Sequence, residues 1–137
     1  MEKNMVKRLF KLVFAFAIST SLFSCSISPD AMTLLDTSMM TYEKAIRWGE
    51  FTRAKAFHIK EPVLSDLERR RLKFYRVTGY SVLQSENRDL HNSYLLVEIK
   101  YYTNNRPVIK NITVKQHWKR EKDSKSWYLD SAFPKFR

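Results

Sequence analysis

Few residues in this chain have side chains suited to covalent or acid–base chemistry, and they are scattered. The sequence has 137 residues with a single cysteine, Cys25, and three histidines, His58, His91 and His117. These histidines do not have the spacing of a metal site, and two glycines are too few for a phosphate-binding loop. The sequence therefore predicts no metal and no cofactor, and Cys25 is the residue whose position needs a chemical explanation.

The segment before Cys25 has three parts in order. An apolar stretch over residues 12–18 is followed by small residues, and it is preceded by a basic start with Lys3, Lys7, Arg8 and Lys11. This order is typical of a secretory signal peptide. The apolar part is about a dozen residues, shorter than the roughly 20 that a membrane-spanning helix needs. We expect residues 1–24 to be a signal peptide.

The residues that end this segment, Leu22-Phe23-Ser24-Cys25, resemble the lipobox of bacterial lipoproteins. The resemblance implies a diacylglyceryl group on the Cys25 thiol, cleavage before Cys25 and residues 25–35 as a lipidated cysteine and tether. Ser26, where an aspartate would signal inner-membrane retention, implies an outer-membrane anchor with the domain facing the periplasm. The alternative is that Cys25 is an ordinary apolar residue, but an unpaired cysteine in an exported protein favours modification.

The remaining chain, from Cys25 to Arg137, has the size of one domain and a strong positive charge. The whole chain has a formal net charge of +11. The leader holds four of the basic residues and one acidic residue, so residues 25–137 keep a net charge of +8. A basic intracellular domain would suggest nucleic acid as a partner. An exported domain instead meets its own membrane, anionic lipid and cell-wall polymers, so we expect no nucleic acid.

Helical spacing comes first along the chain. A first helix is expected from Asp36 or Ser38 to Gly49, and a second over residues 50–58. A third opens at Ser65 with capping-box spacing. It carries a basic run that is either a solvated face, with Asp66 and Glu68 pairing to Arg70 and Arg71, or a contact surface for anionic head groups. The run consists of Arg69, Arg70, Arg71 and Lys73.

From Tyr75 on, apolar residues alternate with a period of two. Four strands are predicted over residues 75–84, 93–102, 108–120 and 126–132, joined by short polar turns that favour an antiparallel meander. Gly79 inside the first strand favours a bulge that curves the sheet. The prediction is an α+β fold with N-terminal helices packed on the concave face of a curved four-stranded antiparallel sheet.

This layout resembles the nuclear-transport-factor-2-like (cystatin-like cone) superfamily over residues 36–137. The resemblance rests on "YEKAIRWGEFTRA", "SYLLVEIKYY", "VKQHW" and "WYLDSAFP". It implies a cystatin-like cone roll and no single activity, because the superfamily holds isomerases, dehydratases, cyclases, transport adaptors and secretion-system components.

An inward set of mostly aromatic residues is the candidate for a pocket in the cone. These residues either line a small-molecule site or fill the core, which is the commoner use of aromatics. The set is Tyr42, Tyr101, Gln116, Trp118 and Trp127.

Catalysis would require an inward acid or base. Glu98 and Asp130 flank inward positions, so both should face outward. His117 alternates with the inward Trp118, so it should also face outward. Enzymes of this superfamily that resemble ketosteroid isomerase or polyketide cyclases use an inward acid or histidine. We therefore expect that this protein is not an enzyme. An isomerase or hydrolase would need an inward acid, which these strand registers do not provide.

The opposite sheet face combines aromatic and basic residues, which favours an interface over singly exposed apolar residues. Its candidate contact residues are Tyr94, Leu96, Tyr102 and Tyr128. An envelope protein or a second copy of the chain is the expected partner. Together these features predict a lipid-anchored, non-catalytic periplasmic binding or assembly module, with a carrier of a small hydrophobic or lipid ligand in the cone pocket as the alternative.

Overall fold

Three helices precede a four-stranded sheet in the computed structural model, which describes residues 30–137. The predicted signal peptide over residues 1–24, the predicted lipidation site Cys25 and residues 26–29 lie outside the described residues. Within residues 30–137 no helix is both long and apolar enough to cross a bilayer. The elements are α1 (Ala31–Arg47), α2 (Phe51–Lys55), α3 (Asp66–Leu72), β1 (Tyr75–Asn87), β2 (Asn92–Thr103), β3 (Arg106–Arg120) and β4 (Trp127–Leu129).

The strands form one antiparallel sheet in the order β1-β2-β3-β4. Each strand therefore pairs with its neighbour in sequence, as short turns favour. On β2 the alternate residues Leu95, Val97, Ile99 and Tyr101 are buried, and the first three pack with α1 and α2 in one core. The prediction of an α+β fold with helices on a curved antiparallel sheet is confirmed.

The predicted start of the first helix, at Asp36 or Ser38, is wrong. Helix α1 begins at Ala31, and the Asp30 side chain caps it by accepting a hydrogen bond from the Thr33 N–H at 2.8 Å. Residues 31–35 of the predicted tether are therefore helical. Threonine and serine lower helix propensity in this stretch, but their hydroxyls donate to carbonyls one turn back, as Thr37 does to Thr33 at 2.9 Å. Packing of the apolar face overrides that local preference.

Helix α2 is shorter than predicted for a tertiary reason, and strand β4 covers only Trp127–Leu129 of the predicted residues 126–132. The chain leaves α2 after Lys55, and residues 57–59 pair with Leu129 as a parallel bridge. The Leu129 N–H donates to Phe57 and the Ile59 N–H donates to Leu129. A helix over 50–58 would lose these two bonds.

Strand β1 is bent at the position that the sequence indicated. The register with β2 shifts between Val77 and Gly79, as the glycine predicted, and again between Val82 and Gln84, which the sequence did not indicate. Bulges of this kind bend and twist a strand. The bent β1 gives the sheet its concave face.

Gly49 lies just after the C-terminal end of helix α1 and has a positive φ of 72°. An alanine Cβ there would meet only Phe51, at 3.9 Å, so steric contact adds no penalty. A Gly49→Ala change is therefore expected to cost about 1 kcal/mol through backbone strain alone, which urea unfolding measures. The matched control is Gly79→Ala, whose φ is not positive and whose Cβ would meet the Lys100 side chain at an ordinary 3.5 Å. Equal losses in both variants would contradict the strain argument.

Candidate functional site

The five residues predicted to line a cone pocket are all part of the packed interior. Each is at most 3% exposed. Tyr42 on α1 packs edge-on against Trp118 with ring centroids 5.8 Å apart. The Trp127 indole N–H donates to the Ala31 carbonyl at 2.9 Å, which holds β4 to the start of α1. Tyr101 lies against the C-terminal segment instead.

The polar members of this interior are bonded to each other. Gln116 donates to the Tyr80 hydroxyl at 2.9 Å, and the Trp118 indole N–H donates to the Gln116 side-chain oxygen at 3.2 Å. Burial raises the pKa of Tyr80, and the Gln116 bond opposes that shift. A satisfied buried network of this kind specifies side-chain positions in a core.

His58, which was predicted only to lie at the end of a helix, is a buried polar residue. Its Nδ1 lies 2.8 Å from the Ser131 carbonyl oxygen, and its Nε2 lies 3.4 Å from the Tyr42 hydroxyl. A neutral ring that donates from Nδ1 and accepts at Nε2 satisfies both partners. Burial lowers the pKa of His58, with the Ser131 bond opposing. The rings of Tyr42 and Phe133 cover this side chain, with centroids 5.9 and 5.6 Å from the His58 ring, and no local sequence signal reports these contacts.

This burial makes stability depend on pH. Unfolded His58 titrates near pH 6.5, and its folded pKa is lower, so the unfolded chain binds more protons between the two values. The free energy of unfolding should therefore fall as pH drops below about 6.5. Urea unfolding between about pH 7.5 and pH 5 measures this slope.

The His58→Asn variant is the control, because its amide can still donate to Ser131 but does not titrate. His91 and His117 are present in both proteins, so the difference between the two slopes isolates His58. Identical slopes would show that His58 does not control the acid response.

Acidic residues near the sheet face outward, as predicted. Glu98 accepts from Asn111 at 3.2 Å, and Asp130 pairs with Lys119 at 3.3 Å. Among residues 30–137 no group of three or more histidine, cysteine or carboxylate side chains is placed to hold a metal ion.

The predicted pairing of the basic run in α3 is wrong in detail. Asp66 pairs with Arg69 rather than Arg70. Glu68 is instead taken up by the capping box, where it accepts from the Ser65 N–H at 2.8 Å and from the Ser65 hydroxyl at 2.7 Å. These bonds lower the pKa of Glu68, because they favour its charged form. Arg70 and Arg71 therefore have no carboxylate within 4 Å among the described residues.

Helix α3 has no buried residue and separates two clefts. The first, the tail cleft, has about 890 Å³ and lies between residues 60–64, α3 and residues 129–137. The second, the basic cleft, has about 860 Å³ and lies between the α1–α2 turn, α3 and β1. Of the four predicted basic contact residues, Arg69 and Lys73 line the basic cleft, Arg71 lines the tail cleft and Arg70 lines neither.

The convex sheet face brings only some of its predicted contact residues together. Tyr94 stacks on His117 with centroids 4.2 Å apart, and the Arg88 guanidinium lies 4.5 Å from the same ring. Leu96 follows two residues along β2, and Tyr128 on β4 pairs with Lys119. Tyr102 is eight residues from Tyr94, roughly 27 Å along the strand. It lines the basic cleft instead.

Comparisons with protein-family models, with curated proteins and with solved structures give no match. The α+β architecture is shown by the structure. The likeness to the nuclear-transport-factor-2-like superfamily and the likeness to a lipobox remain predictions from the residues that carry them.

Proposed function

We propose that this protein is a lipid-anchored, non-catalytic binding or assembly module of the bacterial cell envelope. The observation that carries the proposal is the lipobox-like Leu22-Phe23-Ser24-Cys25 behind a basic and apolar leader. Two or more acyl chains make anchoring stable, since each buried methylene contributes about 0.8 kcal/mol. By resemblance, Ser26 favours the outer membrane with the domain in the periplasm.

The start of α1 supports a domain that sits close to its anchor. Asp30 is already the cap of α1, and it follows Cys25 by only five positions. A chain of that length reaches at most about 18 Å. The domain would therefore contact partners near the membrane surface and not across the periplasm.

A non-catalytic role is supported by the way that the inward polar groups are used. Gln116, Tyr80 and Trp118 bond to one another, and His58 bonds to Ser131 and Tyr42. These groups serve packing and position. An envelope protein or a second copy of the chain would bind the convex face at the stack of Tyr94, His117 and Arg88. Aromatic and arginine side chains are enriched at interfaces.

The test is the intact mass and membrane fractionation of the full chain expressed in a bacterial host. We expect the wild type to have the mass of residues 25–137 plus acyl chains, and Cys25→Ser to be an uncleaved precursor or soluble. The control is Ser26→Asp, expected to be acylated equally but retained in the inner membrane. An unmodified wild type that still begins at Met1 would overturn the proposal and make the positive net charge an argument for nucleic acid.

A hydrophobic carrier is the second candidate, with the ligand in the tail cleft, because the side chains predicted to line a cone pocket are packed in the core. Leu64, Leu72, Phe133 and Phe136 contribute apolar walls there. Ser131 also lines it, and its hydroxyl oxygen is buried without a hydrogen-bond partner among the described residues. Mass spectrometry of organic extracts of the purified protein tests this role. A stoichiometric lipid that is lost in a Val63→Arg variant, whose side chain lines the tail cleft but not the basic cleft, supports it, and a ligand-free protein contradicts it.

A further inference from the structure

The basic cleft has cationic walls. Its lining includes Arg47, Lys55, Arg69, Lys73 and Arg76, and among residues 30–137 no aspartate or glutamate lines it. Such a concentration of one sign of charge attracts anions.

Two of these cations have no carboxylate partner within 4 Å among the described residues. Arg47 pairs with Glu43, Lys55 with Glu61, and Arg69 with Asp66. Lys73 makes no ion pair, and Arg76 donates only to the backbone carbonyls of Lys73 and Tyr75, both at 2.9 Å. The guanidinium therefore retains its full charge for an external anion.

The floor of the basic cleft is apolar. Phe51 and Tyr75 are each 8% exposed, and Leu72 and Val77 pack against the core beside them. At the rim, Trp48 is 80% exposed. An exposed tryptophan among cations is characteristic of surfaces that meet lipid head groups, because its ring is apolar with one polar atom.

We propose that the basic cleft binds a single amphiphile with an anionic phosphate head group, such as an acidic phospholipid. Lys73 and Arg76 hold the phosphate, while the apolar part lies on the floor beneath Trp48. The proposal deepens the proposed function, on which it rests for a supply of lipid. A free phosphate would use the cations but not the apolar floor, so the whole cleft fits an amphiphile better.

The position of the cleft argues for one bound lipid molecule instead of the anchoring bilayer. Arg47 and Trp48 stand at the end of α1, a helix of 17 residues, and the predicted anchor precedes its start. At a rise of about 1.5 Å per residue, a helix of this length spans roughly 25 Å. The cleft therefore lies at the far end of α1 from the chain's own attachment.

Tryptophan fluorescence gives a direct readout of binding. Trp118 and Trp127 are at most 1% exposed, so quenching by acrylamide, which is uncharged, reports chiefly on Trp48. The full chain, purified in an uncharged detergent, is titrated with dihexanoyl phosphatidylglycerol, with dihexanoyl phosphatidylcholine and with glycerol 3-phosphate. We expect phosphatidylglycerol to protect Trp48 from quenching at much lower concentrations than either of the others.

Charge variants test the residues. Changing Lys73 and Arg76 together to glutamine should weaken phosphatidylglycerol binding about 30-fold, since each basic residue near the head group contributes about fivefold. The matched control is Lys122→Gln with Lys125→Gln, which changes net charge equally in the β3–β4 turn and should leave binding unchanged. Lys73→Gln alone is expected to weaken phosphatidylglycerol binding about fivefold. This variant leaves the hydrogen bonds from Arg76 to the backbone in place.

Three results would overturn the proposal. Equal protection by phosphatidylcholine would show that binding does not require an anionic head group. Equal affinity for glycerol 3-phosphate would show that the cleft binds the phosphate alone. Equal losses in the cleft and control variants would show non-specific charge attraction. None of these results depends on acylation, so a failure here is distinct from a failure of the Cys25→Ser fractionation.

Discussion

Trp118→Ala is expected to lower the free energy of unfolding by about 3–5 kcal/mol. Trp118 is fully buried and packs edge-on against Tyr42 and Phe57, with centroids 5.8 and 6.2 Å away. Its removal leaves a cavity between α1 and β3 and deletes the indole donor to Gln116. Since domains are typically stable by about 5–15 kcal/mol, this loss takes a large part of the total.

Urea unfolding followed by far-ultraviolet circular dichroism measures the change. Trp48→Ala is the matched control, because Trp48 is 80% exposed. A substitution at such a surface position should change stability by no more than about 0.5 kcal/mol. If Trp118→Ala does not fold, Trp118→Phe retains an aromatic ring against Tyr42 and should lose less. Equal stabilities of the Trp118→Ala and Trp48→Ala variants would contradict the placement of Trp118 in the core.

Tyr101→Ala is expected to release the C-terminal segment, residues 133–137, from the sheet and to cost about 3–5 kcal/mol. The Tyr101 ring packs edge-on against Tyr75 at 5.5 Å and Phe136 at 5.1 Å. Its hydroxyl donates to the Arg137 carbonyl at 2.8 Å and accepts from the Arg137 N–H at 3.0 Å. Tyr101 thus holds the end of the segment by both packing and hydrogen bonds, alongside Phe51 and Tyr75, whose rings also contact Phe136.

Hydrogen exchange of residues 133–137 distinguishes local release from general destabilisation. Tyr101→Phe is the control, since it keeps the ring but loses both hydroxyl bonds, for an expected cost of about 1–2 kcal/mol. Exchange in this segment should rise much more in Tyr101→Ala than in Trp118→Ala when both are compared at equal global stability. The same exchange in the two variants would mean that other contacts hold the segment.

The alternation of apolar residues predicted the faces of β2 and β3 correctly. Leu95, Val97 and Ile99 are buried, while Glu98 between them faces away from the core. A pleated strand sends successive side chains to opposite faces whatever surrounds it, so this information is local. The capping box at Ser65 was predictable because it too depends only on residues close together in the chain.

Boundaries that depend on distant segments were not predictable. The end of α2 is fixed by backbone pairing with Leu129. A helix boundary that is set by such a bond has no marker in its own residues. The start of α1 is a different case, because Asp30 is a local N-cap marker that the prediction of a tether over residues 25–35 passed over.

By itself, the sequence determined the class of the fold, the inward residues of the sheet and the position of the one thiol behind an apolar leader. Only the tertiary structure decided that Tyr42 and Trp118 fill the core, that His58 is buried and that Lys73 and Arg76 border a cleft with an apolar floor. Periodicity records which face of an element is apolar. Cavities and unpaired charges arise where separate elements meet, and that depends on how closely their side chains pack.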